Sequence, residues 1–350
     1  MAPADLWTPG LLLAAFAGGA LGASIGALNS FALAGAAVVS GETYAALLRA
    51  LGTAPATVPL TDQVAFGVVL GPHVAFGGGA AAVAYAAREG YVDADGPLHP
   101  GKRVTTGLGS RPDVLAVGGA FGVAGHWLTT LSGSLALPWD PVAFGVVASA
   151  LLHRAVLGYS VLGVATGGRF DMSGYDDGRG TATTDGGRPT AGAPVPWLPY
   201  QYRWPDVALL GVAGGVAGAY VAYVTGSPFL AFGASAASLA LLCAGVQRVP
   251  ITHHMTLPAS TVVVMLVPGA AVRPSPAAIA AAVPLEVALL AGAVVGLAGA
   301  LAGELSQRAL WAHAETHLDP PAAGIVVATA LLAAAAALGV LPSAAWIPLP

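Results

Sequence analysis

An all-α integral membrane fold is predicted by three features of the 350-residue sequence: 56% of its residues are hydrophobic, only 9% are charged, and long apolar stretches carry glycine at helical spacing. A soluble chain holds roughly 25% charged residues, and a mean hydropathy of +0.75 moves this one into the membrane class. A bilayer core about 30 Å thick takes roughly 20 apolar residues per helical crossing, so the chain has room for about eight to twelve membrane segments and no separate soluble domain. The expected partner is the lipid bilayer, with the whole of 1–350 forming one transmembrane domain.

Two polar stretches divide the apolar sequence, 89–112 and 165–204, the second rich in Asp, Gly, Pro and Thr. Both read as solvated loops. Each precedes the same kind of helix start: Pro112-Asp113-Val114 and Pro205-Asp206-Val207. The helices that follow carry Gly118, Gly122, Gly125 and Gly211, Gly215, Gly218, and the spacing returns at Gly292, Gly296, Gly299. A looser form, Gly18, Gly22, Gly26, stands in the first apolar stretch. No hydrophobic force draws helices together in lipid, so small residues at i and i+4 predict close helix crossings, or alternatively a subunit interface in a homo-oligomer.

A proline-opened element follows each of these stretches, at Pro72, Pro141, Pro228 and Pro320, where a missing N–H costs a helix nothing. The expectation is four tandem helix pairs: 8–28 with 72–88, 113–132 with 141–163, 206–225 with 228–247, and 286–305 with 320–340. In domain terms these are pair 1 over 8–88, pair 2 over 113–163, pair 3 over 205–247 and pair 4 over 286–340. Paired crossings imply a parallel repeat. Two insertions, 29–71 and 250–284, hold apolar pieces too short to cross unaided and read as re-entrant or broken helices, tolerated only against protein or a wet cavity.

Charge sets the orientation. Under this topology Arg88, Lys102, Arg103, Arg111, Arg169, Arg179, Arg188, Arg203, Arg248 and Arg273 share one side, while Arg49 and Arg308 lie on the other. The positive-inside rule makes the crowded side cytoplasmic, both termini included. The start of the sequence carries no Lys or Arg, so no secretory leader is expected there.

Lys102 is the lone lysine, and Ala, Gly and Val dominate with Asp-rich loops. That bias, with the segments Ala14-Ala15-Phe16-Ala17-Gly18-Gly19-Ala20 and His317-Leu318-Asp319-Pro320-Pro321-Ala322, resembles uncharacterised multi-pass membrane proteins of haloarchaea. The resemblance implies a prokaryotic cell membrane and no particular activity.

Several chemistries lack their residues. Cys243 alone rules out an intrachain disulfide or a thiolate cluster. A net charge of −4 without a basic block gives nucleic acid no footprint. No Gly-Lys-Ser/Thr follows a suitable loop, so no nucleotide is expected. The glycine helices lack the strand before and acidic residue after that a dinucleotide fingerprint needs.

Ionisable groups at membrane depth mark pathways. Candidates for a substrate pathway are His73, His126, His153 and Arg154, together with Thr252, His253, His254, Thr256, Ser260 and Thr261 in the proline-bounded second insertion. Each has a plainer alternative: His126 as a hydrogen-bonded structural histidine, Arg154 paired with Glu304 or Glu286, and the histidine pair as interfacial. The proline-started helices present first turns suited to an anion, or are simply capped by Asp140, Ser227 and Asp319. His313, Glu315, His317 and Asp319 gather metal-ligand types within one short segment, and in extended backbone alternate onto one side, so a divalent ion has a candidate site there. The H-E-x-x-H spacing is missing.

The expected function is a polytopic transporter or channel for a small solute or ion, an anion included, without a resident cofactor. The alternatives are a metal-dependent membrane enzyme using the His313 cluster and a non-catalytic oligomeric assembly protein.

Overall fold

The computed structural model describes residues 3–52, 59–93, 98–165, 167–176, 183–184, 188–189, 193–269 and 271–349. Among the described residues the chain is all-helical apart from one two-residue antiparallel ladder in the long polar loop. Its helices are α1 (Pro9–Ile25), α2 (Ala27–Ala50), α3 (Ala75–Arg88), α4 (Pro112–Ser134), α5 (Pro141–Val156) and the short α6 (Ser173–Asp176). They continue with α7 (Trp204–Thr225), α8 (Leu230–Cys243), α9 (His253–Met265), α10 (Pro276–Ala282), α11 (Leu285–Ser306) and α12 (Pro320–Ala337). Among the described residues five helices are long and apolar enough to cross a membrane: α2, α4, α7, α11 with its π-helical extension to Trp311, and α12.

Within the insertion 29–71 the part up to Ala50 differs from its expectation, and 53–58 lie outside the described residues. The insertion's first apolar pieces, expected to be too short to cross, are joined through Ser40-Gly41-Glu42 into α2, one apolar helix of 24 residues. The reason is local: Glu42 is buried but bonded to Thr61, Ser227 and Arg273, and Gly41 packs against the backbone of Thr61. A buried carboxylate with that many partners needs no helix break to reach water.

α1 crosses α4 through glycine. A Cβ on Gly19 would overlap Gly118 and Gly122, and in the same way one on Gly215 of α7 would overlap Gly292 and Gly296 of α11. α3 lies against both α1 and α4, as α9 lies against both α7 and α11. The correspondence extends to single residues. A Cβ on Gly125 would strike the His73 carbonyl oxygen and one on Gly299 the His254 carbonyl oxygen; Gly22 faces the carbonyl of Ala75 and Gly218 that of Thr256. His73 and His254 thus hold equivalent places at the starts of α3 and α9. Both carbonyls are available to a neighbouring helix: Gly77 N donates to Pro72 O, and Pro258 has no N–H to offer His254 O.

The two halves meet through their corresponding helices. Gly35 of α2 touches Ala236 and Ala237 of α8, while Val38 and Val39 touch Gly233, so residue numbers rise along one helix as they fall along the other. α5 and α12 behave alike: the Asp140 amide donates to Thr329 Oγ1 (3.0 Å), and His153 near the far end of α5 meets Thr316 just before α12. Corresponding helices that pack antiparallel make the halves inverted relative to one another. This departs from the expected parallel pairs because α2 adds one long helix to the first unit.

The ends of the molecule differ in charge. Arg88 donates to Leu157 O, Arg308 to Phe170 O and Tyr202 O, and Arg169 to Ala309 O, all at one end. Arg49 (to Thr225 O) and Arg273 stand at the other. Arg308 and Arg273 have therefore exchanged sides relative to expectation. Arg179 and the side chain of Arg188 lie outside the described residues. The N-terminal turn is bound to His126 and Trp127 of α4 at the end away from the basic loops, and the C-terminal Leu341 and Ile347 pack on Met265 and Leu332 at that same end. Both termini thus lie opposite the basic residues, not among them.

Candidate functional site

A cavity of about 40 Å³ opens between the halves. Its walls come in equivalent pairs: Pro72 with His253, Phe76 with Leu257, Asp140 with Asp319, Ala143 with Ala322, and Val146 with Ile325, completed by Phe31, Phe66, Phe232 and Val142. Four helices begin around it, α3, α5, α9 and α12. A second cavity of about 30 Å³ lies toward the basic end, lined among others by His254, Gln201, Glu304, Gln307 and Pro320.

The aspartates are placed by their helices. Asp140 Oδ1 accepts from Val142 N (2.7 Å) and Ala143 N (3.1 Å), capping α5. Asp319 Oδ2 accepts from Ala322 N (2.8 Å), capping α12, and its Oδ1 lies 3.5 Å from His317 Nε2. Trp311 Nε1 donates to His317 Nδ1 (3.1 Å), so the neutral imidazole carries its proton on Nε2 and presents it to Asp319.

His253 is 2% exposed and lines the central cavity, with ring contacts to Phe31 (4.9 Å) and Phe232 (5.8 Å). Its neighbour His254 turns to the second cavity. Adjacent helical residues diverge by about 100°, so the pair serves two cavities rather than one. His73 is buried between Gly71 and Gly145 with its Nδ1 unbonded, beside the central cavity but not in its wall.

The remaining pathway candidates are engaged elsewhere. His126 Nε2 lies 3.2 Å from Asp5 O at the N-terminal turn. His153 Nε2 meets Thr316 Oγ1 at 3.2 Å. Arg154 is fully buried and donates to Thr316 Oγ1 (3.1 Å), Thr316 O (2.8 Å) and Val161 O (2.8 Å). Glu304, proposed from sequence as its partner, instead pairs with Arg308 (2.6 Å), one helical turn away. Thr252 bonds Ser235 (2.7 Å), Ser260 bonds Gly218 O (2.9 Å), Thr261 bonds Leu257 O (2.8 Å), and Thr256 reaches His253 O at 3.4 Å. Neither cavity is lined by these hydroxyls: on the fully buried α9 those of Thr256, Ser260 and Thr261 go to backbone carbonyls, and Thr252 is held by Ser235.

The metal-ligand segment is dispersed. His313 bonds Arg169 O (3.0 Å), Glu315 faces His99 (3.9 Å), and His317 and Asp319 pair with each other. Among the described residues no three His, Cys, Asp or Glu side chains converge to hold a metal. The segment turns rather than extends, so alternation onto one side does not arise.

Sequence reasoning treated Asp140 as a cap and Asp319 as a cap or a metal ligand, and missed both as cavity walls. The available signal was the Asp-Pro pair recurring at 140–141 and 319–320. Near the basic end Lys102 is buried, its ammonium 3.8 Å from the Trp311 ring centre, and burial with Arg154 nearby pushes it down to about 7.

No curated protein and no solved structure matches this chain. A model of a family of unknown function, DUF7973, matches residues 1–350, and the chain belongs to that family.

Proposed function

We propose that this protein is a membrane transporter or channel for a small solute, and that its route passes through the central cavity. The observation that carries the reading is that cavity itself: it lies between inverted halves, walled by matching residues of each, where four helices begin. Ligand sites at the junction of repeats built from interrupted helices are a common arrangement in transporters. The route runs from the basic end past Gln201, Glu304 and His254 to His253. Toward the other end it passes Phe66 and Phe229, which meet edge to face at 5.6 Å, with the Arg273 guanidinium over the Phe229 ring.

Two features that favoured an anion from sequence are already used. The N-termini of α5 and α12 hold Asp140 and Asp319, and each of the three Arg154 nitrogens already donates to Thr316 or Val161. The basic end is taken as cytoplasmic, which puts both termini outside.

Proteoliposomes test the reading with a panel of labelled methylammonium, nitrate and urea. At least one probe should enter faster than into protein-free vesicles, and His253→Ala should change that rate at least tenfold. Entry of none of them, with the protein folded and inserted, would sink the route.

A further inference from the structure

Resting on that reading, the cavity also assigns a class of ligand. We propose that it binds a small cation that donates hydrogen bonds, held by Asp140 and His253 between phenylalanine rings. Three observations converge.

Asp140 is 7% exposed, and both of its bonds fall on Oδ1; among the described residues Oδ2 has no partner. Its counterpart Asp319 uses both oxygens. A carboxylate oxygen accepts and does not donate, so the group that completes Asp140 must bring a donor. An anion would bring only charge against charge.

Among the described residues His253 makes ring contacts but no hydrogen bond through either nitrogen, and its Nδ1 is fully buried. A buried imidazole without a partner is costly. A neutral ring offers one lone pair to a ligand N–H, and this residue stands where the first half has Pro72. The second half therefore supplies the cavity with a hydrogen-bonding group that the first half cannot.

Four phenylalanines, Phe31, Phe66, Phe76 and Phe232, stand in the rest of the wall beside aliphatic side chains and the paired Asp319. Desolvated phenyl faces attract cations. In a volume of about 40 Å³ there is room for roughly three waters or a molecule of two or three heavy atoms. Methylammonium fits that size; choline does not. An anion could use the N–H of the neutral His253 ring and the uncapped first turn of α9, which makes nitrate the competing probe.

The test uses thermal unfolding in detergent alongside uptake into proteoliposomes, on the full chain. Methylammonium chloride should raise the unfolding temperature by several degrees over equal choline chloride, and Asp140→Asn should abolish that rise. Asparagine caps a helix about as well as aspartate, so this variant removes the charge while keeping the cap, and its ligand-free unfolding temperature reports whether the fold is intact. Methylammonium uptake should fall at least tenfold in the same variant. A shift produced by nitrate and not by methylammonium, or one that survives Asp140→Asn, overturns the cation assignment. Nitrate uptake would leave the route standing while removing this ligand; a methylammonium shift without uptake keeps the site and removes the route. No shift and no uptake overturns both.

Discussion

Arg273 crosses from the second half of the chain to Glu42 in the first, its Nη2 2.8 Å from Oε1 and its Nε 3.1 Å from the same oxygen. Glu42 is 1% exposed and also takes bonds from Thr61 and Ser227, so the end of the molecule away from the basic loops is closed by one carboxylate serving both halves. Asp62 adds a second acceptor for the same guanidinium at 3.1 Å.

Removing one partner of a buried pair strands the other charge, at a cost of about 3 kcal/mol. Arg273→Gln should lower stability by that order in detergent unfolding. The double variant with Glu42→Gln should recover a large part of the loss, since no charge is then left unpaired. Equal destabilisation in the single and double variants would show that the arginine acts through packing on Phe229 alone.

Glycine at the crossings is required by contact rather than by backbone conformation. A Cβ on Gly215 would overlap the Gly292 carbonyl oxygen, and no side chain can move aside to make room. On neighbouring Gly214 the same atom meets only side chains at ordinary contact distance, Met255 from 3.5 Å and Thr252 at 3.9 Å. Gly215→Ala should therefore sharply reduce the monodisperse yield in size-exclusion chromatography, while Gly214→Ala leaves it near the native level. Gly125→Ala should resemble the first, because its Cβ would strike the His73 carbonyl oxygen.

These contacts explain which parts of the fold were legible. Glycine spacing on α4, α7 and α11 is a local property, and the proline-led starts at Pro141 and Pro320 need only the preceding aspartate. The continuity of α2 was not legible, since the partner that lets Glu42 stay in a helix lies 231 residues away. The inverted relation of the halves was hidden for the same reason: without α2 as a full helix, each unit held an even number of crossings. Within the site, His253 and His254 stood out as polar groups in an apolar run. The phenylalanines around them did not, because Phe31, Phe66, Phe76 and Phe232 come from four separate segments and each looks like ordinary core.

Lys102 should make stability depend on pH. Its folded value of about 7 lies well below the ordinary 10.5, with burial as the main cause, Arg154 adding to it and Glu315 opposing it. Between those values the unfolded chain binds the proton and the native protein does not, so stability rises with pH across that window. Below about 7 both states are protonated and the full penalty of the buried ammonium is present. Unfolding temperatures at pH 7 and pH 9 should show the increase, and Lys102→Met should flatten it while raising the value at pH 7. A native profile that is flat or falling over this range would mean that the attraction to the Trp311 ring outweighs burial.

The placement of the termini yields the last prediction. The turn before α1 is bonded to the far end of α4, whereas Arg111 opens α4 at the basic end. Positive charge is retained in the cytoplasm, so the proposed orientation has the basic end facing inward and Thr8 facing out. In a Cys243→Ala background, Thr8→Cys should react with a membrane-impermeant maleimide on intact cells, and Arg111→Cys should react only after the membrane is opened; both positions are exposed. The reverse pattern would invert the molecule in the membrane, and the route from His254 to His253 would then begin at the outer face.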